Sequence, residues 1–268
     1  MTRSVMRNVA VAGVAILFLA PLVFMFLGAL RFPGLPPPDG FEVIPRFVRW
    51  ANFQSAFMVV SLLEQIMNSL LIAAVAVPVT VVIGSLAGYA IVASPPRVGK
   101  RLAVISVIAL LVPVTSLWIP RFVMFRWLGA IDTPWPLIAP ALMATTPFFV
   151  LIFALTYSRI PKQLLEAARL EGLSELSIWR RVVWPLGMPA AFAVAVLAFA
   201  FHWSNFMDAL LYIYDEANFT VPLGLNALSS LEPPMRPIFL AASVVATIPV
   251  VIAFLAAYRA FFVRTLEV

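Results

Sequence analysis

The sequence has no cysteine, a single histidine and few charged residues, which make up 11% of its 268 residues. Without cysteine, the chain has no disulfide, no thiolate metal site and no cysteine nucleophile. One histidine is also too few for a histidine-based metal cluster. Soluble domains carry about 25% charged residues, so a chain that is 63% hydrophobic has too little polar surface to cover a globule in water. These absences predict an all-α membrane protein.

Six apolar segments are long enough to cross a hydrocarbon core about 30 Å thick at a rise of about 1.5 Å per residue. The predicted spans are residues 9–30, 65–92, 102–120, 137–157, 189–213 and 238–262. The first span is longer than the apolar core of a signal peptide and no small-residue cleavage site follows it, so we expect an uncleaved anchor. All of residues 1–268 are assigned to one transmembrane domain.

Lysine and arginine concentrate in one set of loops. Twelve of the eighteen Lys and Arg residues, but only four of the twelve acids, lie in the N-terminus, 94–101, 158–188 and 259–268. Because this bias sets membrane orientation, the set and both termini are predicted to be cytoplasmic. The same scattering of cations at span ends makes the lipid bilayer the expected partner and argues against nucleic acid, despite the net charge of +6.

The predicted cytoplasmic segment 158–188 carries eight of the chain's thirty charged residues. Its pattern predicts two short amphipathic helices. Pro161 suits the first helical position, and Gly172 suits a left-handed residue that ends the first helix. Ser174 is placed to cap the second helix, which we expect Pro185 and Pro189 to stop as the chain turns back into the membrane.

The first of these helices has two distinct faces. Leu165 and Ala168 lie on one face, while Lys162, Glu166 and Arg169 lie on another with the spacing of i,i+3 and i,i+4 ion pairs. Periodicity alone fits equally well a helix that docks in another protein's groove and an interfacial helix with a solvated charged face.

The segment also carries a spaced motif: Glu166-Ala167-Ala168, three residues, Gly172, nine residues, then Val182-Val183-Trp184-Pro185. This motif resembles the EAA loop of ABC-importer permeases. The whole chain resembles the six-span permease subunit of carbohydrate importers of the maltose-transporter type. Further stretches that carry the resemblance follow in the family's order: Asn52-Phe53, Asn68-Ser69-Leu70, Ala87-Gly88-Tyr89-Ala90, Ile119-Pro120, Leu128-Gly129, Asp132-Thr133, Ile160-Pro161, Trp203 with Phe206, and Thr220-Val221-Pro222-Leu223-Gly224-Leu225.

The sequence departs from the family pattern at several positions. Glu171 stands where Asp is usual and keeps the charge, while Trp184 replaces a common Leu. Ser204 follows Trp203 where Asn is usual, and Ala209 replaces a frequent Pro. These departures leave the family assignment intact but weaken any inference about substrate from the fifth span.

The resemblance implies a type I ABC importer permease fold, with a cytoplasmic EAA coupling helix between spans four and five. Such a permease in a prokaryotic inner membrane passes a carbohydrate or related polar solute inward from an extracytoplasmic binding protein. Its other expected partners are a second permease subunit and two copies of an ABC ATPase. The implied ATPase-coupling residues are Glu166, Ala167, Ala168, Arg169, Glu171, Gly172 and Pro185.

No catalytic site, metal site or resident cofactor is expected in this chain. The sequence has no phosphate-binding motif of the form G-x-x-x-x-G-K-[ST], so ATP and Mg²⁺ are expected on the partner ATPase subunits. An ion-coupled secondary transporter is the alternative. That class requires coupling acids or broken helices at the membrane midplane and inverted repeats, which the sequence does not show.

Polar and aromatic residues in the spans are candidates for a substrate path. They are Asn68, Ser69, Trp203, Ser204 and Asn205. Their side chains suit hydrogen bonds to a polar solute, but bonds between helices account for them equally well. For the lone histidine, a packed side chain is the main interpretation and a proton relay the other. The resemblance also implies that the outer loop 214–237 contacts the binding protein.

Overall fold

The computed structural model of the protein describes residues 2–34, 44–45, 47–230 and 235–266, with side chains from residue 5 to residue 259. The described residues form helices and connecting turns, and no strand occurs among them. The α-helices are α1 Thr2–Ala29, α2 Ala51–Val59, α3 Leu62–Ala93, α4 Pro96–Leu110, α5 Trp118–Trp127, α6 Trp135–Ile138, α7 Pro147–Tyr157, α8 Lys162–Leu170, α9 Glu175–Ile178, α10 Trp184–Leu186, α11 Met188–Trp203, α12 Phe206–Tyr212, α13 Val221–Ser229 and α14 Arg236–Leu266.

Four helical stretches among the described residues are each long and apolar enough to cross a membrane: Val5–Ala29, Leu62–Ala93, Trp135–Tyr157 and Arg236–Arg259. Two sharply bent helix pairs also meet the test, which gives up to six spans if each pair is one crossing. The predicted all-α membrane fold is therefore confirmed. Each predicted span overlaps one of these stretches or pairs.

The predicted third span, 102–120, is not one straight helix. Helix α4 ends at Leu110, and the chain bends by 87° before the helical stretch that begins at Val114. Pro113 explains the break, because proline lacks an N–H to continue the helix and disfavours a helical conformation at the residue before it.

The predicted fourth and fifth spans are also interrupted. In the fourth, Ala144 and Thr145 have positive φ angles of 57° and 60°, and Thr146 is extended and caps α7. Thr146 has an extended backbone because Pro147 follows it directly, and a proline disfavours the helical conformation at the residue before it. In the fifth, α11 ends at Trp203, and the Asn205 side chain accepts a hydrogen bond from the N–H of Asp208 to start α12.

The chain forms two compact units, one of residues 1–66 and 221–249, the other of residues 67–220 and 250–268. In the first unit, the fully buried Asn52 donates hydrogen bonds to the carbonyls of Ala29 (2.7 Å) and Arg31 (2.6 Å). These bonds satisfy orphan carbonyls where α1 ends. The prediction of one domain over residues 1–268 stays a prediction.

The second unit is built around close contact between α3 and α7. A Cβ atom added to Gly88 would lie 2.9 Å from the Ala154 nitrogen and 3.0 Å from the Val150 oxygen. Only glycine permits this approach, because the nearest atoms are the Phe153 Cβ atom at 2.5 Å and these two backbone atoms of α7, which cannot move aside as a flexible side chain could. Phe153 and Tyr157 of α7 are almost fully buried in the same core.

This packing makes opposite predictions for two glycines one turn apart on α3. Gly88→Ala should destabilise the protein by about 1–3 kcal/mol, because the new methyl group overpacks against backbone. Gly84→Ala is the matched control. Its added Cβ would meet only side-chain atoms at 3.5–3.6 Å, so it should be neutral or stabilising by up to about 1 kcal/mol. Thermal unfolding midpoints in detergent will measure both, and an equal effect of the two substitutions would contradict the close contact.

Candidate functional site

Helix α8 is a short helix with well-defined ends. It begins at Lys162. Pro161 lies directly before it and has the non-helical backbone of an N-cap residue. At its other end Gly172 adopts φ 77°, as predicted. The N–H of Leu173 bonds to the Ala168 carbonyl (3.2 Å) and the N–H of Gly172 to the Arg169 carbonyl (2.9 Å). This pair of bonds is the Schellman pattern, which satisfies the last carbonyls of the helix.

The helix that follows starts where it was predicted to start and ends between the two prolines that were predicted to stop it, Pro185 and Pro189. Ser174 caps α9 by accepting a hydrogen bond from the N–H of Ser177 (3.4 Å). The helical path then continues through a π-helical turn, residues 179–183, into α10, and Pro185 lies inside α10. A π turn accommodates proline because it relaxes the hydrogen bonding that proline disrupts. The chain bends by 81° between Leu186 and Met188.

The inner face of α8 is buried. Leu165 and Ala168 are 5% and 7% exposed. Both belong to the hydrophobic cluster that contains Tyr89 of α3, Tyr157 of α7 and Ile178 of α9. The spacing predicted this shared face, and the structure identifies the surfaces against which it packs.

Glu175 joins three helices through hydrogen bonds. The Tyr89 hydroxyl of α3 donates to its Oε2 atom at 2.5 Å, and Nε of Arg169 in α8 donates to its Oε1 atom at 2.8 Å. The hydrogen bond from Arg169 is the main cause that lowers the pKa of the Glu175 carboxyl, and the bond from Tyr89 adds to it. The sequence spacing predicted that Arg169 forms an ion pair within α8. In the structure Arg169 instead pairs with Glu175 on the next helix.

The hydrogen bonds around Glu175 form one junction between helices, the Glu175 junction. A second, buried junction lies beside it. The Ser85 hydroxyl of α3 is 2.6 Å from the Tyr157 hydroxyl of α7, and the indole N–H of Trp179 donates to Ser85 at 2.9 Å. The Tyr157 ring also lies against Gly187, at the bend before α11, where a Cβ atom would have no room. Sequence reasoning missed Ser85, Tyr157 and Trp179. The sequence does not predict these hydrogen bonds, because nothing in the local sequence around each residue shows which side chains meet.

The outer face of α8 is exposed. It carries Leu164 (43% exposed), Glu166, Ala167 and Leu170 (90% exposed), and Glu171 follows at the C-cap. We name these five residues the coupling surface, after the role that the resemblance implies for this helix. Exposed apolar side chains next to charged ones suit a protein contact.

The predicted coupling residues therefore divide by location. Those that are exposed are Glu166, Ala167, Arg169, Glu171, Gly172 and Pro185. Ala168 is buried against the second unit's core, so its small side chain lets α8 lie close to that core.

The predicted substrate-path residues make contacts within the chain. Asn68 donates to the carbonyls of Ala217 (2.8 Å) and Phe219 (3.1 Å), and Ser69 is buried. The other three lie where α11 gives way to α12. Trp203 stacks on Phe199, Ser204 donates to Ala200, and Asn205 donates to the Asp208 carboxylate at 3.0 Å.

Asp132 and Asn68 together hold the segment that follows α12. The Asp132 carboxylate accepts from the N–H groups of Asp215 (3.0 Å) and Tyr214 (3.1 Å), and these bonds lower its pKa. The Asn218 side chain donates to the Asp132 carbonyl at 3.0 Å. In the sequence Asp132 was only part of a motif, whereas in the structure its hydrogen bonds hold this loop in place.

His202 is a packed side chain in this structure. It is 7% exposed, and its Nε2 atom lies 3.2 Å from the Thr145 hydroxyl, which lies 2.5 Å from the Thr80 hydroxyl. Among the described residues, no group of three or more His, Asp or Glu side chains is arranged to hold a metal ion.

Comparison with known proteins places these features in a family. A family described as binding-protein-dependent transport system inner membrane component matches residues 80–266. The chain is 30% identical over 247 residues to the trehalose transport system permease protein of Mycobacterium tuberculosis, covering 90% of this chain and 87% of that protein. It is 27% identical over 257 residues to the arabinooligosaccharides transport system permease protein of Bacillus subtilis, covering 95% and 90%. It is 36% identical over 188 residues to the trehalose/maltose transport system permease protein of Thermococcus litoralis, covering 69% and 67%.

A solved structure shares the fold. A chain in the crystal structure of a bacterial ABC transporter, involved in the import of the acidic polysaccharide alginate, matches with a TM-score of 0.73. The match covers 97% of this chain and 96% of that chain at 20% sequence identity. Because the family match spans more than half of its length, the chain belongs to the binding-protein-dependent transport system inner membrane components, the membrane-spanning permease subunits of ABC importers.

Proposed function

We propose that this permease passes a carbohydrate from a solute-binding protein into the cytoplasm, driven by two ATPase subunits, one of which docks on its coupling surface. The carbohydrate class rests on the names of its relatives, which transport trehalose, maltose and arabinooligosaccharides. A second permease subunit completes the proposed complex. Both termini and segment 158–188 face the cytoplasm in this proposal, in agreement with the distribution of Lys and Arg.

The observation that carries the coupling role is the two-sided environment of α8. On its inner side, Leu165 and Ala168 pack into the core of the second unit, and Arg169 bonds to Glu175. On its outer side, the coupling surface is free of contacts that would bury it. A helix held in this way moves as a rigid body with the helices behind it.

The two junctions give that motion a path into the membrane-spanning helices. Glu175 links α8 and α9 to Tyr89 of α3, and Ser85 links α3 to Tyr157 of α7. Closure of the ATPase pair on ATP would displace α8, and the bonds at both junctions would carry the displacement to α3 and α7. The energy of transport thus comes from ATP and Mg²⁺ bound by the partners, and this chain is proposed to hold no cofactor and no catalytic site.

Substitutions on the coupling surface should uncouple the complex without unfolding the permease. Leu170→Asp and Glu166→Arg alter exposed side chains, so the thermal unfolding midpoint should change little. Loss of an apolar anchor or reversal of a contact charge typically costs about 2 kcal/mol or more at an interface. We therefore expect at least tenfold less ATPase copurification and ATP-driven uptake in proteoliposomes.

The control for that experiment is Glu64→Arg, a charge reversal at an exposed position in the first turn of α3. It should leave copurification and uptake close to those of the unsubstituted complex. Normal uptake by both coupling-surface variants, or uptake driven by an ion gradient without ATP, would overturn the proposed function.

Substitutions at the Glu175 junction should separate docking from transport. Tyr89→Phe and Glu175→Gln leave the coupling surface intact, so the ATPase should still copurify while uptake per ATP hydrolysed falls. In a double-mutant cycle the interaction free energy between the two side chains should be about 0.2–1 kcal/mol, because Glu175 is largely exposed and screened. Strict additivity of the two substitutions, with unchanged uptake, would show that the junction transmits no motion.

The lowered pKa of Glu175 predicts how its contribution to stability depends on pH. The folded pKa lies below that of the unfolded chain, so the contribution is fully present above about pH 4.3, the ordinary Glu pKa. It is lost as the pH falls through the folded pKa. The difference in unfolding midpoint between the unsubstituted protein and Glu175→Gln should therefore be constant near neutral pH and shrink in acid. A difference that grows on acidification would contradict this assignment.

A further inference from the structure

Helix α4 lines an open, largely apolar groove of about 450 Å³ that the transport mechanism does not use. The groove is lined by Arg97, Lys100, Arg101, Val104 and Ile105. These residues are spaced at i, i+3, i+4, i+7 and i+8, so they form one stripe along the helix. We name the three cations the basic stripe.

The basic stripe points away from the body of the chain because the opposite face of α4 is packed. Gly99 is buried against the carbonyl of Ile91 in α3, and Ala103 and Ser106 are half-buried on the same side. The three cations are exposed. The turn that starts α4 is also well ordered, since the N–H groups of Val98 and Gly99 both bond to the Pro95 carbonyl.

The three cations have no acidic partner in the described part of the chain. No Asp or Glu occurs between residues 94 and 110. Among the described residues, the ion pairs of this unit join Arg121 to Asp208 and Arg169 to Glu175, and neither involves the basic stripe. Three uncompensated positive charges within about one helical turn attract an anion strongly.

The apolar continuation of the stripe indicates what kind of anion. Val104 and Ile105 are 47% and 60% exposed, and Ile108 one turn further is 56% exposed. A cationic end followed by an apolar strip matches a molecule with an anionic head and a hydrocarbon tail. Segment 94–101 is predicted to lie at the cytoplasmic surface, where the membrane carries its anionic lipids.

We propose that the basic stripe and its apolar continuation form a binding site for one anionic phospholipid of the cytoplasmic leaflet. The headgroup phosphate contacts Arg97, Lys100 and Arg101, and an acyl chain lies along Val104, Ile105 and Ile108. The site is separate from the coupling surface and does not depend on what the permease transports. A bound lipid would anchor the start of α4, which packs against the core helices α3 and α7.

The test compares lipid binding to the purified full-length chain by native mass spectrometry. Phosphatidylglycerol and phosphatidylcholine with identical acyl chains are titrated separately into the detergent-solubilised protein. The unsubstituted chain should retain one phosphatidylglycerol with preference over phosphatidylcholine. Arg97→Gln/Arg101→Gln should weaken that binding on the order of tenfold or more, because each cation near an anionic surface contributes to affinity. Arg7→Gln/Arg259→Gln, which removes the same charge at exposed positions elsewhere, should leave it unchanged.

Four outcomes would overturn the proposal. Equal retention of the two lipids would show that the headgroup charge is not recognised. Equal loss of binding in both double variants would show only a general effect of net charge. Displacement of the lipid by glycerophosphoglycerol, which has the headgroup but no acyl chain, would make the site one for soluble phosphates. Normal lipid binding with lost ATPase copurification in Arg97→Gln/Arg101→Gln would assign the stripe to a protein contact instead.

Discussion

Close packing between α3 and α7 is the constraint on which the rest of the second unit depends. At Gly88 the two backbones approach so closely that a side chain would meet the Ala154 nitrogen and the Val150 carbonyl. That approach brings Ser85 within 2.6 Å of Tyr157 and directs Tyr89 toward the segment that follows α7. Without it, neither of the two junctions that hold α8 and α9 would form.

The junctions explain how a short polar helix becomes part of a membrane domain. An isolated helix of nine residues is marginal in water because nucleation is costly. Helix α8 is stabilised by burial of Leu165 and Ala168, by the C-terminal turn at Gly172, and by the bond from Arg169 to Glu175. The buried side chains and the bond to Glu175 tie it to α3 and α9, so its position follows from the packing behind it, while its exposed face remains available for a partner.

The broken spans show a second consequence of the membrane environment. Breaks near Pro113 and Pro147 free backbone groups that the hydrocarbon core cannot satisfy, so neighbouring side chains must compensate. At the second break the Thr146 hydroxyl accepts a hydrogen bond from the N–H of Phe148 at 3.4 Å. At the junction of α11 and α12, Asn205 supplies both a cap and a bond to Asp208. The polar residues within the spans thus have structural roles, whatever part they also take in a substrate path.

Much of this protein follows from the sequence because the signals concerned are local. The scarcity of charge excludes a soluble globule, and each predicted span overlaps a helical stretch or bent pair that is apolar enough to cross a membrane. The left-handed turn at Gly172 and the cap at Ser174 depend on backbone conformations that these residue types favour. The spaced motif around Glu166 identified the family, which the match over residues 80–266 establishes.

Other features were decided only by tertiary structure, because they depend on which side chains meet across helices. The sequence spacing of Lys162, Glu166 and Arg169 predicted ion pairs along α8, whereas packing brings Glu175 within reach of Arg169 and Tyr89. Pro185 and Pro189 predicted the helix end, but only the structure shows that Pro185 lies inside α10 after a π turn and that the bend falls at Gly187. Local sequence sets the preferences of each helix. The distances that join Ser85, Tyr157 and Trp179, and so fix α8 and α9 to the spans, exist only once the helices have packed.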